Sequence, residues 1–152
     1  MSNSQALVTS FKVDIMNGLH AFGASVIRAG TTKDSYKAAL YLASASLGAA
    51  TTAYSGTGEV SGTNYSAGGV AVTTATAPNS SGTTAFFTPS ASIVYTTVTL
   101  ATAFDAVLIY NDTAAGKNAV SVHTFGSQTI TSGTFTLTMP VNDSATALIR
   151  IA

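Results

Sequence analysis

The chain has 152 residues, no cysteine, and six basic residues balanced by six acidic ones. That is the length of one domain; it rules out a disulfide framework or thiolate metal site and leaves no net field to steer the chain to nucleic acid or an anionic membrane. Only 8% of residues are charged, against about 25% in an ordinary domain, and from Ala38 to Phe104 Glu59 is the sole charge.

In chain order, the first periodic segment is Val8, Phe11, Ile15, Leu19 and Phe22, spaced three and four apart. This predicts a short helix capped by Asn3 or Ser4 and ending near Gly23, within an N-terminal arm of residues 1–30. Residues 31–152 read as strands. In "SYKAALYLAS", Tyr36, Leu40 and Leu42 fall on one side of an alternation and Tyr41 on the other. "GGVAVTTAT", "TTAFFTP", "ASIVYTTVTL", "TAFDAVLIYN", "KNAVSVHTF", "SQTITSG", "TFTLTMP" and "ATALIRIA" follow, β-branched and aromatic, with Gly, Pro, Asn or Asp between most of them. Asn111, Asp112, Gly116 and Asn118 predict the turn of a hairpin. Eight or nine short strands at this spacing predict an all-β antiparallel sandwich, jelly-roll-like, with the short N-terminal helix beside it. Its expected core is Leu40, Leu42, Val70, Val72, Tyr95, Val98, Leu100, Val107, Ile109, Val120, Val122, Phe135, Leu137, Leu148 and Ile151.

The chemistry-bearing residues are few. "YSGTGEVSGTNYSAGG" (residues 54–69) has Gly56, Gly58, Gly62, Gly68 and Gly69, but not the dinucleotide spacing, and no Lys-Ser/Thr pair follows. A phosphate loop also needs a helix behind it, whereas strand-like sequence comes next. Positive-φ connections between strands are the expectation. His20 and His123 are the only histidines, with Asp105 and Asp112 as candidate orienting partners, and no Gly-x-Ser-x-Gly elbow is present. His123 lies on the face opposite Val120 and Val122, where a solvent-facing or hydrogen-bonded strand residue is expected. Glu59, Asp112 and Asp143 lack the EF-hand pattern, and the two aspartates sit in Asx-turn contexts. The expectation is therefore no catalytic residue, no cofactor and no metal, and the six dispersed basic residues offer no nucleic-acid surface. The N-terminus lacks a basic start followed by an apolar run, and no apolar stretch approaches the ~20 residues of a membrane span. Synthesis in a cytoplasm, without membrane association, is the corresponding expectation.

Taken together, "FKVDIMNGLHAF", "YKAALY", "YSGTGEVSGTNYSAGG" and "AVLIYN" resemble a family of small virion structural proteins of tailed bacteriophages. The similarity rests on Phe11, Asn17, Gly18, His20 and Phe22; on Lys37, Leu40 and Tyr41; on Tyr54, Glu59, Val60, Gly62, Tyr65, Gly68 and Gly69; and on Leu108, Ile109, Tyr110 and Asn111. It spans nearly the whole chain. The family's Trp ahead of the last motif is absent, and its "ARGALIYN" reads "AFDAVLIYN" here. The resemblance implies a virion component, and some family members look like head-decoration proteins. The expected function is capsid decoration: binding the outside of the phage head, bridging major capsid protein subunits, and self-associating as a dimer or trimer. Expected contact residues are Phe11, Tyr54, Tyr65, Phe86 and Phe87, because aromatics make good anchors. A tail, neck or fibre-base component is the alternative, and a virion-surface carbohydrate-binding module a third.

Overall fold

A nineteen-residue strand pair dominates the architecture. In the computed structural model, which describes residues 2–16, 19–22 and 32–152, β6 (Ile93–Asn111) and β7 (Ala119–Leu137) form one antiparallel hairpin. The other elements are β1 (Ala6–Leu7), α1 (Thr9–Met16), β2 (Tyr36–Leu42), β3 (Val70–Val72), β4 (Asn79–Ser81), β5 (Thr84–Phe87) and β8 (Ile149–Ile151). The strands form a five-stranded sheet, β1-β7-β6-β2-β3, and a three-stranded sheet, β4-β5-β8. Every strand pair is antiparallel, and Phe87 and Ile149 of the small sheet join the core of the large one. The fold is thus the expected all-β sandwich with a short helix.

Five segments read as separate strands are in fact the two long ones. β-Branched sequence continues through the expected breaks, and bulges bend the pair without ending it. The register shifts between Tyr95 and Val98, Val98 and Leu100, Leu100 and Phe104, and Phe104 and Ala106. Thr97 and Ser132 take φ of 53° and 47° at these steps. The bend returns the far half of the hairpin over the near half. Tyr95 Oη reaches Ala38 O at 2.8 Å, and Phe135 packs edge-on against Phe104 at 5.1 Å. One hairpin therefore supplies both walls of much of the core, as strands do when they turn a corner between layers.

β2 is interior to the sheet, and Ala39 and Tyr41 are as buried as Tyr36, Ala38 and Leu40. Burial of both faces explains its run of apolar residues, which blurs the strand period. The N-terminal segment departs from expectation. Residues 6–7 pair with β7 at Ser121 and Val122, and the helix starts only at Thr9, so Asn3 and Ser4 are not its caps. They fasten the strand start instead: Ser4 N donates to Leu47 O (2.8 Å) and Asn3 Oδ1 accepts from Leu47 N (2.9 Å). Residues 19–22 are not helical. The expected helix end near Gly23 and the arm boundary at residue 30 lie outside the described residues. Ile151, expected in the core, is 44% exposed, and Ile149 is the buried residue of β8.

Two glycines fix the connection from β2 to β3. Gly69 has φ +74°, and a Cβ there would lie 1.7 Å from Ala38 O; at Gly62 a Cβ would lie 2.0 Å from Thr99 O. Gly69→Ala is expected to lose at least about 3 kcal/mol of stability in urea titration, combining αL strain with backbone overlap. Gly126→Ala, where an added Cβ would meet no non-neighbouring atom within 4 Å, is the control and stays within about 0.5 kcal/mol. Equal stability of the two variants would contradict this packing.

Candidate functional site: a tyrosine–carboxylate clamp and two aromatic–histidine clusters

Residues 54–69 fold around Glu59. The segment does not form hairpins. It lies along β2, with an isolated bridge between Tyr41 and Glu59 and a bond from Val60 N to Leu40 O (3.0 Å). Glu59 Oε2 accepts from Tyr54 Oη (2.6 Å), and Oε1 from Tyr65 Oη (2.8 Å) and Gly68 N (2.7 Å). Gly68 O then accepts from Tyr110 Oη (2.9 Å), and Tyr65 Oη accepts from Leu40 N (3.0 Å). Tyr41 Oη donates to Ser55 O. Tyr54 stacks on Tyr110 at 4.7 Å, and Tyr65 on Tyr95 at 6.0 Å. Of the five glycines, Gly58, Gly68 and Gly69 take positive φ, whereas Gly62 is needed for close approach to Thr99.

Burial, then the Glu59 carboxylate, pushes the Tyr54 hydroxyl up to about 12. Burial does the same at Tyr41, also to about 12. These phenols stay protonated donors at any physiological pH. Glu59 takes three internal donors, so the cluster clamps a loop to a sheet. Hydrogen bonds to a charged group are among the stronger ones, and their loss strands the partners.

A second cluster joins the N-terminal segment to the sheet. Phe11, Phe22, Phe86 and Phe87 line an apolar groove of about 140 Å³ with His20 and Ile149. Phe22 stacks on Tyr36 at 4.5 Å and meets Phe87 at 5.1 Å. Beside it, Asn111 Nδ2 donates to Asp34 Oδ2 (2.9 Å) and lies 3.2 Å from His20 Nδ1. His20 Nε2 is 3.6 Å from Asp14 Oδ2, which accepts from Asn118 Nδ2 at 3.0 Å. Asn111 Oδ1 accepts from Thr113 N and Ala114 N, both at 3.0 Å. The Asx turn of the hairpin is therefore made by Asn111. Asp112, expected in that role, pairs with Lys117 (2.8 Å) and Lys37 (3.3 Å), and Lys117, ahead of desolvation, holds its carboxyl below the usual range. Asp143 does form the expected local turn, Oδ1 accepting from Ala145 N and Thr146 N.

His123 shares a strand face with Ser121 and hydrogen-bonds to its Oγ at 2.9 Å. It borders an open cleft of about 520 Å³ between the edges of the two sheets, lined also by Gln5, Leu7, Thr146 and Arg150. Burial pulls its pKa down to about 4. Among the described residues no group of three His, Asp or Glu side chains could hold a metal ion, and no helix is long and apolar enough to cross a membrane.

The five expected contact aromatics thus fall into two groups. Tyr54 and Tyr65 are half-buried partners of Glu59. Phe11, Phe86 and Phe87 are 1%, 7% and 4% exposed and share the apolar groove. Sequence reasoning did not pair His20 with Asn111, which lie 91 positions apart, although both occur in the quoted family-like motifs. No family model, curated protein or solved structure matches this chain.

Glu59→Ala leaves two tyrosine hydroxyls and the Gly68 amide without an acceptor and is expected to cost about 2–4 kcal/mol in urea unfolding. Glu59→Gln, which keeps one carbonyl oxygen, is expected to cost less. A Glu59→Ala loss under about 0.5 kcal/mol would mean the clamp carries no weight. His123 makes a separate prediction. Its folded pKa lies below the ordinary 6.5, so the unfolded chain binds the extra proton first and stability falls as pH drops from about 6.5 to about 4. Tm of His123→Gln, followed across that window, is expected to vary less than that of the parent chain.

Proposed function

We propose that the chain is a structural protein of a tailed-phage virion, and specifically a capsid decoration protein. In this role it binds the outside of the head, bridges major capsid protein subunits and stabilises the shell, with copies associating as a dimer or trimer. The observation that carries the reading is the surface of the bent hairpin. Between Lys117 and Asp143 no residue is charged, yet Thr129, Thr131, Thr134 and Thr136 are exposed. Interface cores are depleted in charge, and an uncharged hydroxyl surface packs against a neighbour without stranding ions. The polar chemistry inside the chain supports the same reading, because the tyrosines and Glu59 hold the chain together. A platform of exposed aromatics for sugar binding has no counterpart here, since all six tyrosines are buried or half-buried. The reading takes the wiring of the sandwich to be jelly-roll-like.

Many copies acting together make modest contacts sufficient: linking neighbours raises the effective concentration at every remaining joint, and each contact needs only about the standard 1,600 Å². The test is copy number in purified virions, by quantitative mass spectrometry against the major capsid protein. A ratio near one-to-one, or a simple fraction of it, is the expected result. A ratio of a few per cent moves the chain to the tail or neck, and absence from the particle removes the structural reading altogether.

A further inference from the structure

His20 sits where its proton inventory is dictated by the hairpin. Its side chain is 0% exposed, wedged against Phe11 at 4.9 Å, Phe22 at 6.1 Å and Tyr36 at 6.2 Å. The orientation of the Asn111 amide is set by the two backbone amides that donate to its Oδ1. Its Nδ2 must therefore point at His20 Nδ1 and Asp34 Oδ2. An N–H₂ group facing Nδ1 requires a lone pair there. The imidazole is then neutral, with its one proton on Nε2, toward Asp14. A second proton has only Nδ1 to occupy, and it would set donor against donor at 3.2 Å. Asn111 cannot answer by flipping without stranding the Thr113 and Ala114 amides.

We propose that His20 is an acid-operated latch: its neutral imidazole holds residues 19–22 against the sandwich, and protonation at Nδ1 releases them. Residues 2–16 are fastened independently, by β1 on β7, by Asn3, Ser4, Val8 and Thr9 bonds to Leu47, Val120 and Ala49, and by Val8 and Phe11 inside the core. Residues 19–22 have fewer ties: besides His20 and the Phe22 ring, these include the Leu19 N bond to Asp14 O (2.9 Å) and the Ala21 N bond to Asp34 Oδ2 (2.8 Å). Among the described residues, the ionisable groups facing the ring are Asp14 from α1, Asp34 ahead of β2, and the Tyr36 hydroxyl, which lies 3.4 Å from Asp34 Oδ2. The two carboxylates favour the charged ring, whereas burial opposes it more strongly and holds the His20 pKa below 6.5. The sign follows: docking is complete above about pH 6.5 and weakens as pH falls. Release uncovers Phe87 and Tyr36, against which Phe22 packs. This inference stands independently of the virion reading.

The experiment is amide hydrogen exchange of the full chain at about pH 7.5 and about pH 5, corrected for intrinsic rates, with the His20 pKa read by imidazole NMR. Expected is a loss of protection at acid pH confined to residues 19–22, with β1, β6 and β7 unchanged. His123→Gln is expected to keep this loss, and His20→Gln to abolish its pH dependence. Asn111→Asp is expected to reverse the sign, because a carboxylate oxygen at that position accepts a proton from Nδ1 while still capping Thr113 and Ala114. A His20 pKa at or above 6.5 in the parent chain would overturn the latch, whatever the variants do. So would an unchanged acid response in His20→Gln.

Discussion

The Glu59 carboxylate is the interaction on which the interior arrangement turns. It is the only charge in a stretch of sixty-seven residues, Ala38 to Phe104, and three donors converge on it. A protein with so few charges has to satisfy its buried polar groups with hydroxyls and backbone. Tyr95 and Tyr110 do this by donating to Ala38 O and Gly68 O, and Tyr65 by accepting from Leu40 N while it donates to Glu59. Each tyrosine buries a large ring and delivers one polar atom to a position the sheet would otherwise leave unsatisfied. The clamp joins the long β2–β3 connection to β2 and, through Tyr110, to β6.

That anchoring matters because the sheet beneath it is sharply bent. β6 and β7 turn back on themselves through bulges, and the aromatic contacts among Phe104, Phe125 and Phe135 fill the inside of the turn. The outer surface of the bend carries threonines. On the outer side of β7, β1 covers only Ser121 and Val122 among the described strands. Bulges are a means of protecting such an edge, and they do so here in a stretch with no charged residue to share the task.

At the other end of the hairpin, Asn111 ties together pieces that are remote in sequence. It caps its own turn, bonds Asp34 and orients His20. The N-terminal segment is thereby held by polar geometry as much as by Val8 and Phe11, which are inside the core.

By itself the sequence determined the all-β class, the position of β2, β3, β5, β8 and the hairpin turn, and part of the core, chiefly the aliphatic residues of the two long strands. β-Branched alternation and turn residues are local signals that survive any arrangement of the strands. It also showed that Glu59 was isolated, though not why. Tertiary structure alone decided that five expected strands are two, since a bulge keeps the strand composition on both sides of a bend. Likewise it alone decided that Ile149 and not Ile151 is buried, because only the register of β8 on β5 selects the face. The convergence of Tyr54, Tyr65 and Gly68 on one carboxylate, and of His20 on Asn111, depends on contacts across chain separations for which no periodicity in a single sequence leaves a trace. Those contacts turn motif residues into a clamp and a latch.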